Sequence, residues 1–197
     1  MRPGEALGRR WRDFEDAKPL VRMHVHTQYD DQPLKGARDE YTAERMVPLH
    51  PTLWKLLEEW RCVGWERHFG RLPRPDDFVL PDPRDITKAR TRNQYSKALK
   101  RDQKHLGLET VGMHGGRRFF ITQARQAGAD KDLVRQITHA AKGDILDGYT
   151  HWEWESLCSV VSQIECSLGG GELIRMPLRR VAPKGHLGKA SRGLILG

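Results

Sequence analysis

Two short alternating stretches constrain the fold more than anything else in the chain. Residues 20–27, LVRMHVHT, place apolar and polar side chains in turn, the period of a strand with one buried face. Residues 44–48, ERMVP, read as a second, shorter strand. Residues 30–42 between them are polar and turn-rich, so the pair predicts an antiparallel ribbon with a long connection. The other confidently patterned segments have helical spacing. The sheet is therefore small, and the class is α+β, mostly α.

The helical segments follow in order. Residues 2–10 read as a short helix, with Pro3 suited to a first turn and Glu5 to the positive end of the helix dipole. Residues 51–65 carry Leu53, Leu56, Leu57 and Trp60 on one face behind Pro51. Residues 71–85 hold four prolines and read as a loop, with room for a short strand at 78–80. Residues 92–106 form a polar, basic helix ending before Gly107, and residues 114–126 a helix closed near Gly128. Shorter helical pieces are predicted over 132–139 and 144–149. Residues 152–164 form the last helix, with Trp154, Leu157, Val161 and Ile164 on one face.

The 197 residues suffice for one domain with or without a tail. No run of eighteen apolar residues occurs, and the first residues lack an apolar signal core, so the expectation is no membrane partner and a cytoplasmic, nucleoid-associated protein. The net charge of +8 suits a polyanion, with nucleic acid the usual one. The charge is uneven. Residues 169–197 hold six basic side chains against Glu172, so five of the eight net charges lie there. That segment is glycine- and proline-rich and reads as a flexible basic tail. Cys62, Cys158 and Cys166 are odd in number and form no CxxC pair, which argues against a disulfide framework or a zinc ribbon.

The chemistry-bearing residues gather in residues 114–157. His114 and Arg117 are three apart at a helix start, on one face, beside backbone N–H groups that favour an anion. A guanidinium is planar, always charged and fits two phosphate oxygens at once. A second histidine, His139, precedes Tyr149 by ten residues. A tyrosine hydroxyl can attack phosphorus, provided nearby cations stabilise its phenolate and the charged transition state. The plainer alternatives are a solvated His–Arg turn and a half-buried tyrosine bonded to a neighbour.

HxxR, then a histidine, then a tyrosine about ten residues on resembles the signature of the tyrosine recombinases, the phage-integrase family. MRPGEALGRRWRDFE resembles that family's first arginine box, and RMVPLHPTL resembles the end of its β-hairpin and the start of the next helix. The resemblance spans roughly residues 1–165 in the family's order. It implies a tyrosine-recombinase catalytic-domain-like helical fold with a small antiparallel β-sheet near the N-terminus. It implies a catalytic domain over residues 1–168, without the family's first helices and N-terminal DNA-clamping domain, and a tail over 169–197.

The implied function is site-specific recombination of double-stranded DNA, with a homotetramer assembled on two duplexes. Arg2 and Arg117 would grip the nonbridging oxygens of the scissile phosphate. His114 would bond the same phosphate or help take the tyrosine proton, and His139 would donate to a phosphate oxygen. Tyr149 would form a 3′-phosphotyrosyl link and release a 5′-hydroxyl, with no cofactor, metal or ATP required. The family's hairpin lysine, which protonates the leaving oxygen, would fall at Glu40; Lys35 is the nearby lysine and stands equally as an exposed turn residue. Gly115 and Gly116 replace the family's more usual aspartate and apolar residue, and Thr138 stands where glycine is frequent. Two other readings compete. One is a catalytically inactive DNA-binding relative. The other is a metal-binding or structural protein using His24, His26, His114 and His139.

Overall fold

Local signals account for most of the elements in the computed structural model, which describes residues 1–31, 34, 44–139 and 152–166. The expected helix over 144–149, Lys35, Tyr149 and the tail 169–197 lie outside those residues. The first helix, α1 (Pro3–Leu7), is shorter than the sequence suggests, and a 3₁₀ turn at Trp11–Asp13 follows it. Strands β1 (Phe14–Glu15), β2 (Arg22–Val25) and β3 (Arg45–Pro48) form a three-stranded antiparallel sheet in that order. The register pairs Met23 with Val47 and Val25 with Arg45. Met23, Val25 and Val47 are buried, whereas Met46 faces outward, as the period of two requires.

Residues 51–69 form one long helical rod in three parts: α2 (Pro51–Glu59), a π-helical segment (Trp60–Gly64) and α3 (Trp65–Phe69). It begins with His50, whose Nδ1 accepts the N–H of Thr52 at 3.2 Å. It ends at Gly70, whose φ of +73° favours a residue without Cβ. The predicted loop over 71–85 instead runs into a small hairpin, β4 (Pro81–Asp82) and β5 (Asp85–Ala89). The strand expected at 78–80 is reduced to a single bridge between Phe78 and Arg10.

Helix α4 (Arg92–His105) opens with a reciprocal capping box. Thr91 Oγ1 accepts the Gln94 N–H at 3.3 Å, and Gln94 Oε1 accepts the Thr91 N–H at 2.7 Å. Helix α5 (Gly115–Gln126) closes through Gly128 at φ +84°. Helix α6 (Lys131–Thr138) starts from Asp130, whose Oδ1 accepts the N–H groups of Asp132 and Leu133. Helix α7 (Trp154–Ser162) is the last described element.

Two apolar clusters hold these parts together. In the larger, the buried face of β2 and β3 packs against α5, α6 and α7 through Ala124, Val134, Ile137, Leu157, Val160 and Val161. The smaller gathers Trp11, Trp65 and Val79, with Trp60 and Phe69 at its edge. Burying a side chain such as Ile137 is worth about 1.5–3 kcal/mol. The larger cluster thereby fixes the C-terminal end of α6 against β3, where the candidate site lies. Cys62, Cys158 and Cys166 are all free thiols.

Candidate functional site

The site is built around a carboxylate inside the protein. Glu5 is 1% exposed. Its Oε2 accepts the backbone N–H of Arg2, the residue before α1, at 2.7 Å. The same oxygen accepts from Arg45 Nη2 at 2.8 Å. Arg45 occupies the buried row of β3 opposite Val25, a position a valine would ordinarily take. Its Nε also donates to the carbonyl of Ile137 at 3.2 Å. Burial pushes the Glu5 carboxyl up. The hydrogen bond and charge of Arg45, joined by the Arg2 N–H, outweigh burial and leave it below its ordinary value of 4.5.

Arg117 enters from the first turn of α5, and its Nη1 donates to the carbonyl of Thr138. Burial, and then the charge of Arg2, draw its guanidinium below the ordinary value; Glu5 pulls the other way and Arg45 adds to the depression. The group remains charged at any physiological pH. Arg2, Arg45 and Arg117 thus lie in electrostatic reach of one another and of Glu5, and the arginines outnumber the carboxylate between them. A half-buried positive excess of this kind suits an anion.

His139 ends α6 in the left-handed conformation, at φ +51° and ψ +53°. Glycine is the residue that adopts this shape without penalty; a side chain there costs about 1–2 kcal/mol. The two preceding carbonyls, Ile137 and Thr138, are the ones held by Arg45 and Arg117. A histidine therefore leaves the helix directly beyond two carbonyls gripped by arginines of the site.

Arg2 and Arg117 are thus electrostatic neighbours, and His139 follows the carbonyl that Arg117 holds. His114 stands at the N-cap of α5, exposed, three residues before Arg117. No hydrogen bond joins it to the other three among the described residues. Gly116 has open space around the position a Cβ would take, whereas a Cβ on Gly115 would sit 3.1 Å from Val111. His24 and His26 lie apart from the site, with ring centroids 4.7 Å from each other. His26 pairs with Asp13 at 3.0 Å and His24 with Glu44 at 3.5 Å. Among the described residues no three histidine, cysteine or acidic side chains are grouped to hold a metal ion.

Sequence reading missed Arg45 and the buried role of Glu5. The signal for Arg45 was available: in ERMVP, an inward Val47 puts Arg45 inward too, and a cation inside an apolar row needs a partner. Nothing in local pattern names Glu5 as that partner, because the two are forty residues apart.

The fold has a solved counterpart. A crystal structure of the XerH site-specific recombinase bound to difH substrate, in a pre-cleavage complex, superimposes with a TM-score of 0.52 at 24% identity. The match covers 81% of this chain and 41% of that one, so this chain spans less than half of the counterpart. No protein-family model matches the chain. No curated protein matches it either. The likeness establishes an α+β fold resembling a recombinase domain. Among the described residues no helix is long and apolar enough to cross a membrane.

Proposed function

We propose that residues 1–168 are the catalytic domain of a tyrosine-type site-specific DNA recombinase, working on double-stranded DNA as a homotetramer, with the basic segment 169–197 as a tail. The observation that carries the reading is the convergence of Arg2, at the N-cap of α1, and Arg117, in the first turn of α5, beside the histidine that ends α6. The recombinase-like fold supports it.

In this mechanism Arg2 and Arg117 bind the nonbridging oxygens of one scissile phosphate and offset charge as phosphorus becomes pentacoordinate. His139 donates to a phosphate oxygen, and His114 bonds the phosphate or receives the phenol proton. The Tyr149 oxygen attacks in line. Its bond to phosphorus forms as the bond to the 5′-oxygen breaks, and that oxygen takes a proton from Lys35. The reverse step rejoins strands: a 5′-hydroxyl attacks the phosphotyrosyl bond and Tyr149 leaves. Each cleavage conserves the energy of the bond it breaks, so no nucleotide hydrolysis is required.

Nicked duplexes that lose a short strand after cleavage test the reading directly. With a randomised core between constant arms, the full chain should give protein–DNA adducts that survive denaturant and map by mass spectrometry to Tyr149. Adducts that persist in Tyr149→Phe would remove Tyr149 as nucleophile. Salt-sensitive binding with no adduct would instead identify a DNA-binding relative without catalysis.

A further inference from the structure

We infer that Arg45 is a positioning residue for the phosphate site: it fixes the end of α6, and with it His139, relative to Arg2 and Arg117. The inference rests on the reading of the site proposed above.

Arg45 sits where packing alone would favour a branched apolar residue, in the row of Met23, Val25 and Val47. Its side chain is 3% exposed, and desolvating a guanidinium is costly. Its bonds do more than neutralise it. Among the described residues, one reaches Glu5 on α1, which also holds the Arg2 backbone, and another reaches the Ile137 carbonyl at the end of α6. Arg117 takes the next carbonyl, Thr138. These carbonyls are the negative end of the α6 dipole, and two guanidiniums from β3 and α5 hold them. His139 follows at once in a left-handed turn, so its placement depends on where that end is held. Arg45 touches neither phosphate nor nucleophile in this scheme; it acts through Glu5 and Ile137.

The fork geometry makes the idea separable from charge. A lysine at position 45 can neutralise Glu5 but presents a single ammonium, which cannot reproduce the two-armed hold on Glu5 and Ile137. The experiment compares the full chain with Arg45→Lys. One readout is the imidazole resonances of His139, assigned with His139→Gln, against those of His68, which meets Phe69 edge to face at the border of the other apolar cluster. The other is the rate of adduct formation on nicked duplex beside DNA affinity.

Arg45→Lys should keep the near-ultraviolet circular dichroism, move the His139 resonances and leave those of His68 in place. It should slow adduct formation by about ten- to a hundredfold with DNA affinity little changed. Unmoved His139 resonances, or an unchanged rate in a folded variant, would overturn the inference. Should Arg45→Lys fail to fold, the double variant Glu5→Gln/Arg45→Gln removes both buried charges together and is read the same way. Should the unaltered chain give no adduct, the reading of the site fails, and the resonances alone then decide whether Arg45 positions His139.

Discussion

Replacing Glu5 by alanine tests the centre of this site. The carboxylate is buried and shared between the Arg2 N–H and Arg45. Removing it leaves the Arg45 guanidinium inside the protein without its counter-charge, which costs about 3–5 kcal/mol. Loss of the Arg2 bond adds about 0.5–1.5 kcal/mol. A domain of this kind is stable by about 5–15 kcal/mol, so the variant should fold only marginally, with its urea midpoint sharply lowered. Adding Arg45→Met should recover most of the loss, since the stranded cation goes with it. Glu5→Gln isolates the charge. The folded-state pKa of Glu5 lies below its ordinary 4.5, so its contribution is complete above that value and fades as pH falls through the folded pKa. The gap between the unaltered protein and Glu5→Gln should therefore be full at neutral pH and close progressively in acid. A cost for Glu5→Ala under about 0.5 kcal/mol, typical of surface changes, would refute the buried-pair argument. So would a Glu5→Gln gap that stays flat on acidification.

Other outcomes follow from particular residues. At the left-handed turn, His139→Gly should be more stable than His139→Ala by about 1 kcal/mol in urea titrations, while both lose adduct formation. A Cβ at Gly8 would lie 2.5 Å from the Gln28 carbonyl, so Gly8→Ala must push α1 away from that segment and should cost about 1–3 kcal/mol by thermal unfolding. Arg117→Lys keeps the charge but not the two-armed grip; it should retain most DNA affinity in anisotropy titrations while adduct formation falls by tenfold or more, about 1.4 kcal/mol of barrier. Thr91→Ala removes the α4 capping bond and should lower stability by about 1 kcal/mol without altering the adduct rate per folded molecule.

The ribbon and the long helices were legible because their signals are local. The alternation around Met23 and Val25, the proline that opens α2 and the glycines after α4 and α5 act within a few residues of what they determine. The hairpin at residues 81–89 was not legible, since prolines and charges there mask a two-residue pairing. The site divides the same way. Arg117 and His139 stand out by residue type and spacing, and Arg2 only through the resemblance of its surroundings to the recombinase arginine box. The Glu5–Arg45 pair does not, because only the packing of α1 against β3 brings a capping glutamate and a strand arginine together. The strained backbone at His139 is likewise a tertiary fact, visible only once α6 is seen to end there.

The π-helical segment at residues 60–64 has a consequence for comparing this chain with others. Its N–H bonds reach five residues back, as from Trp65 to the Trp60 carbonyl, so the rod carries one residue more than an α-helical path would need. Each residue of an α-helix advances the face by about 100°. Deleting one of residues 61–63 would return the segment to α-helical pairing and leave Trp65, now fully buried between Trp11 and Trp60, on the face it already occupies. Ahead of Gly64 an ungapped alignment to a chain without the insertion keeps its faces in step; beyond it, every inward position is read as a sideways one until a single-residue gap is introduced.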